Sequence, residues 1–166
     1  MPPFVTNDLP KTLPNLDKEI LYSVLTSSLQ DISETLECAE GLENRIKSFA
    51  KESNSVTELL NNLKTKRYTD ARLRRILLAT TLKIKGEFVK ECLNNSLYLK
   101  VLAISKNKPE ILSVLANSTY PIITRKSDGN KLSGVALKCF KTDILANEIY
   151  SLATDKKLVD FDMKII

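Results

Sequence analysis

Between residues 17 and 85 apolar side chains return every three or four positions in segment after segment, the spacing of amphipathic helices. Ile20, Leu21, Val24, Leu25 and Leu29 fall on one face behind Asp17, which is placed to cap them. Ile32 and Leu36, four apart, mark a short helix from Asp31 to Glu37. AEGLENRIKSFAKE (39–52) aligns Leu42, Ile46, Phe49 and Ala50. Ser55 and Glu58 have capping-box spacing and open a helix that buries Val56, Leu59, Leu60 and Leu63. Thr69 is the expected cap of a helix over 70–85, with Leu73, Ile76, Leu77, Thr80 and Ile84 on its core face. Leu78 and Leu82 point the other way, so its second half is expected to be buried on both sides, as the central helix.

After residue 96 the pattern changes. YLKVLAIS (98–105) and YPIIT (120–124) are rich in β-formers, Asn107, Pro109 and Glu110 start a helix to about Asn117, and Asp128–Gly129 marks a turn. A last helix over roughly 132–154 carries Val135, Leu137, Phe140, Ile144, Leu145, Ile149 and Leu152. The expected fold is mainly α: a compact multi-helix domain with one or two short strands near 98–124. Four of the six prolines lie in 1–16, read as a lead-in; 17–154 is the helical domain, and the tail 155–166 has no assignment.

Composition excludes several kinds of chemistry. There is no histidine, hence no imidazole base or zinc ligand. The four glycines do not group into a phosphate-cradling loop, and the three cysteines (Cys38, Cys92, Cys139) lack metal-ligand spacing and read as reduced thiols. Glu40 and Glu43 flank Gly41, but capping and surface pairing explain them better than acid–base work. No catalytic or metal-binding residue is assigned. No run approaches the length of a membrane span, and the N-terminus lacks the pattern of a secretory signal, so a cytoplasmic protein is expected.

The charge is unevenly spread. Lys64, Lys66, Arg67, Arg72, Arg74 and Arg75 stand against Asp70 alone in residues 64–75, an excess of five that equals the net charge of the whole chain. Arginines in a first helical turn oppose the macrodipole at about 0.3–1 kcal/mol each. A polyanion reverses that sign, because a phosphate there meets free N–H groups and guanidinium forks together. Tyr68, among them, is placed to stack on an unpaired base. The competing readings are a solvated face, its arginines paired with Glu40, Glu43 or Glu58, and a docking patch for an acidic protein.

AEGLENRI (39–46), LLNNLKTKRYTDARLRRILL (59–78) and TDILANEIYSLA (142–153) occur in an order and spacing that resembles the C-terminal helical domain of the bacterial tRNA(Met) cytidine acetate ligases. The likeness spans roughly residues 16–154. It implies that full-length members activate acetate with ATP as acetyl-adenylate and acetylate the wobble cytidine of elongator tRNA(Met), giving N4-acetylcytidine. It places that chemistry in an N-terminal nucleotidyltransferase domain with a His-containing, Gly-rich motif that this chain lacks. On that expectation the chain is a fragment serving as a tRNA-binding accessory domain, inactive alone. It needs no cofactor itself, since ATP and acetate are met in the missing N-terminal domain, which is a partner along with tRNA. The residues carried over are Glu40, Gly41, Asn44, Arg45, Lys64, Lys66, Arg67, Tyr68, Thr69, Arg72 and Arg75. The basic ones are read, with Arg74, as phosphate ligands, and Glu40, Asn44, Arg45 and Thr69 as a supporting shell for the Lys64–Thr69 loop. The alternative is a structural module that docks onto the catalytic domain and has no RNA affinity.

Overall fold

Three hydroxyl side chains punctuate the first half of the chain, each accepting a backbone N–H that the first turn of a helix leaves unpaired. In the computed structural model, which describes residues 16–152 and 162–166, Ser28 opens α2 (Leu29–Ser33), Ser55 opens α4 (Val56–Leu63) and Thr69 opens α5 (Asp70–Thr81). Ser28 and Asp31 form a complete capping box. The Ser55–Glu58 box forms by half: Ser55 Oγ accepts the Glu58 N–H at 3.1 Å, but the Glu58 carboxylate accepts from Asn54 N–H instead. Asp17 is the first residue of α1 (Asp17–Thr26) rather than its cap, and its carboxylate accepts the Val56 N–H at the start of α4, 2.9 Å away. α3 (Leu42–Glu52) starts at Gly41, whose φ of 79° lies in the left-handed region that glycine enters without strain.

These five helices enclose one core. Ile20, Val24, Ile32, Leu42, Ile46, Leu59, Leu63, Leu73, Ile76 and Leu77 have no exposed surface, and each such side chain contributes about 2 kcal/mol from burial. α1 packs on α3, α4 and α5, and α5 packs on α1, α2 and α4; Leu78 and Leu82, expected to bury its opposite side, are only partly buried. α5 is shorter than expected. It ends at Thr81, where Lys83 turns left-handed (φ 54°) and the Thr80 and Thr81 hydroxyls fold back on carbonyls one turn earlier. Leu25, Leu29 and Leu36, expected on core faces, remain 42–45% exposed; Leu29 lies past the end of α1 and Leu36 past the end of α2, so neither helix carries them inward.

α6 (Gly86–Leu93) leads to a second, smaller core of Ile123, Leu132 and Phe140. The two β-rich stretches give β1 (Leu99–Lys100), β2 (Ala103–Ile104) and β3 (Ile122–Ile123), separated by α7 (Glu110–Leu115). β1 pairs parallel with β3, Leu99 beside Ile122. The end of the tail, unassigned from sequence, forms β4 (Lys164–Ile165) parallel to β2. Thr124, Arg125 and Lys131 converge on the buried Asp128 carboxylate in a 3-10 turn (Lys126–Lys131). α8 (Gly134–Leu152) joins the two halves, with Phe140 and Ile144 in the small core and Ile149 against the large one. Residues 1–15 of the lead-in and residues 153–161 lie outside the described residues, while Leu16 belongs to the large core. No helix among the described residues is long and apolar enough to cross a membrane.

Candidate nucleic-acid interface

The loop 64–69 connects α4 to α5 and is closed by its own hydrogen bonds. Thr65 N–H donates to the Tyr68 carbonyl at 3.2 Å, and Tyr68 N–H to the Thr65 hydroxyl at 3.1 Å. Its tyrosine does not face solvent. Tyr68 is 6% exposed and belongs to the large core. The expectation that it stacks on a base is therefore corrected: its ring is the floor on which arginines lie. The guanidinium carbons of Arg45, Arg67 and Arg72 sit 5.9, 5.9 and 5.2 Å from the ring centroid, within cation–π range.

The α2–α3 loop braces the same arginines. Glu37 and Glu40 are both left-handed, with φ of 69° and 62°, at a cost of about 1–2 kcal/mol each for a residue with a Cβ. That backbone turns the Glu37 carbonyl to Arg72, whose Nε donates to it at 3.0 Å, and the Glu37 carboxylate to Arg75, at 3.2 Å from Nε and 2.7 Å from Nη2. Glu40 pairs with Arg67, and Arg74 with Asp70 one turn earlier on α5. Arg74 holds the Asp70 carboxyl below the usual carboxylate range, with Lys64 adding to the effect. Lys64 and Lys66 are exposed and form no ion pair with a described residue.

The arginines are thus paired, as the solvated-face reading expects, though with Glu37, Glu40 and Asp70, and the pairs lie on the surface. The Arg67, Arg75 and Arg74 side chains are 63%, 60% and 41% exposed. Exposed pairs of this kind contribute about 0–1 kcal/mol, little enough for a phosphate to compete with the carboxylate. In space Arg45 joins the six basic residues, and Glu37 and Glu40 join Asp70, so seven cations stand against three carboxylates along one ridge. Glu43 and Glu58 take no arginine; they accept from Asn44 and Asn54. Of the expected supporting shell, Glu40 and Arg45 do touch the loop, Thr69 caps α5, and Asn44 bonds, among the described residues, to Glu43 and to the backbone of its own helix start. Glu37 is the residue that sequence reading missed. It lies 35 and 38 positions from Arg72 and Arg75, and nothing local marks it.

Comparison with known proteins gives this ridge its setting. Two solved structures of TmcAL from Thermotoga maritima share the fold at a TM-score of 0.80. The apo form is 22% identical over 94% of this chain and 41% of its own, and the form bound with alpha-thio ATP is 23% identical over 92% and 42%. The tRNA(Met) cytidine acetate ligase of Thermoanaerobacter sp. strain X514 is 34% identical over 87% of this chain, and that of Bacillus subtilis strain 168 is 30% identical over 86%. The chain spans about a third to two fifths of the length of such relatives, 41% and 34% in these two cases. The family model described as HIGH Nucleotidyl Transferase matches residues 4–163, and the chain belongs to that family.

Three expectations fall with this match. The quoted motifs suggested a separate C-terminal helical domain, yet the family match runs through them and past both of their ends. The chain is therefore a nucleotidyl transferase family region, neither an accessory domain nor a docking module for an absent catalytic one. Placing ATP outside it loses its basis for the same reason. Nucleotide is the ligand that the family implies, and one cleft of about 640 Å³, beside Tyr22, Ser23, Thr80, Thr81, Lys83 and Lys85, has the size for it. Its polar groups fit a triphosphate poorly, for among the described residues Lys83 alone of its two lysines forms no ion pair. The Ser23, Thr80 and Thr81 hydroxyls donate to carbonyls, Lys85 is paired with Glu34, and Glu19 and Asp31 add negative charge.

Proposed function

We propose that this chain acts on tRNA, as a cytoplasmic RNA-modifying member of the HIGH nucleotidyl transferase family, within the cytidine–acetate ligation for which its relatives are named. The ridge of Lys64, Lys66, Arg67, Arg72, Arg74 and Arg75 takes the tRNA backbone, with tRNA(Met) the tRNA in the relatives' name. One observation carries the reading: the entire net charge of the chain lies in a twelve-residue segment whose charged ends remain in solvent. The roles follow from position. Lys64 and Lys66 are mobile point charges at the rim, whereas the guanidinium groups are fixed forks suited to phosphate oxygens. Tyr68, Arg45 and Thr69 shape the ridge from below, and Tyr68 offers no face to a base.

Fluorescence anisotropy with a labelled tRNA(Met) transcript tests this. The triple variant Lys64→Ala, Lys66→Ala, Arg67→Ala is expected to bind roughly tenfold or more weakly than the parent, since three phosphate contacts and their counterion release are lost. Equal affinity of parent and variant would overturn the reading.

A further inference from the structure

Glu37 presents an oddity of charge: a carboxylate held in a left-handed backbone at the centre of a ridge argued to bind a polyanion. By simple electrostatics it should weaken RNA binding. Its geometry argues the opposite. A guanidinium has five N–H donors, arranged as a side edge (Nε and one Nη) and an end edge. Glu37 takes the side edge of both of its arginines, through its main-chain carbonyl for Arg72 and its carboxylate for Arg75. The end edges are left without a partner from Glu37, and the Arg75 side chain remains 60% exposed. Two long side chains that would otherwise sample many rotamers are thereby fixed one turn apart on α5 before any ligand arrives. Glu40 differs. Its one ion pair among the described residues is with Arg67, and both side chains are more than half exposed, at 54% and 63%.

We propose that Glu37 is a positioning residue for tRNA, orienting Arg72 and Arg75 as a paired phosphate clamp, while Glu40 merely competes with phosphate for Arg67. This rests on the tRNA-binding reading above and deepens it. It makes the two neighbouring carboxylates act with opposite sign, an outcome that overall charge does not produce. The Glu37 backbone also offers a control for folding. Glycine accepts φ 69° more readily than glutamate, so Glu37→Gly keeps the turn and the carbonyl for Arg72 while deleting the carboxylate that holds Arg75.

The test is tRNA(Met) transcript affinity for the unmodified chain, Glu37→Gln, Glu37→Gly and Glu40→Gln, at several salt concentrations, with thermal unfolding of each protein alongside. Glu40→Gln is expected to bind about two- to threefold more tightly. Glu37→Gln and Glu37→Gly are expected to bind about fivefold more weakly despite the loss of a negative charge, with a salt slope lower by about one for the freed Arg75. Glu37→Gly should do so with no loss of melting temperature. If both Glu37 variants bind as tightly as the parent or more tightly, Glu37 is a competitor like Glu40 and the proposal is overturned. If the unmodified chain shows no salt-dependent affinity at all, it is the tRNA reading beneath it that fails.

Discussion

Tyr68 lies under three guanidinium groups and is closed off from solvent below, so its ring serves stability first and RNA only indirectly. Tyr68→Phe keeps the ring and should change unfolding free energy by less than about 0.5 kcal/mol, whereas Tyr68→Ala should cost about 3–4 kcal/mol in urea denaturation. The sequence around it, KTKRYTDAR, is polar throughout and signals an exposed aromatic. Its burial arises from the turn that Thr65 closes and from the helix faces beyond it, which local pattern does not contain. Asp128 is a second residue whose role appears only in three dimensions. The Thr124 N–H above all, then the Thr124 hydroxyl, Lys131 and the Arg125 N–H, hold its carboxyl well below the usual carboxylate range. A folded-state value below the unfolded one means that the unfolded chain binds the proton more readily. The stabilisation is therefore complete above the unfolded value of about 4 and drains away as pH falls through the folded one. Asp128→Asn should cost about 2 kcal/mol at neutral pH and flatten the acid limb of a stability–pH curve.

Elements formed from contacts within one turn were legible, and those formed between distant segments were not. The stripe Val56, Leu59, Leu60, Leu63 and its Ser55 cap could be read directly, because period and cap are both local. Ser55→Ala should accordingly lower stability by about 1 kcal/mol in thermal or urea unfolding. The strands are two residues long and pair parallel across gaps of about 20 and 60 positions, so YLKVLAIS and YPIIT showed β-formers without their partners. β4 lies in a tail with no readable period, and its place is set by hydrogen bonds to 102–106. At the turn beside it, a Cβ on Gly129 would stand 2.1 Å from the Phe140 ring. Gly129→Ala must displace a side chain at the centre of the small core, and about 1–3 kcal/mol of destabilisation is expected.

For the whole molecule, the mainly helical class was within reach of the sequence, but the assignment of its motifs to a separate C-terminal domain was overturned by the family match. The motifs are short, whereas the family match covers residues 4–163, and only that extent shows the chain to be a nucleotidyl transferase family region. The basic segment could be counted from sequence, yet its electrostatic character could not, since Glu37, Glu40 and Arg45 enter the ridge only through the fold. The most direct measurement is the logarithm of the tRNA association constant against the logarithm of salt concentration for the unmodified chain. With half or more of the six basic side chains of residues 64–75 on phosphates, affinity should fall with a slope of at least about two, because each neutralised phosphate releases counterions. A flat line, or no binding at low salt, would contradict the claim that this ridge meets tRNA.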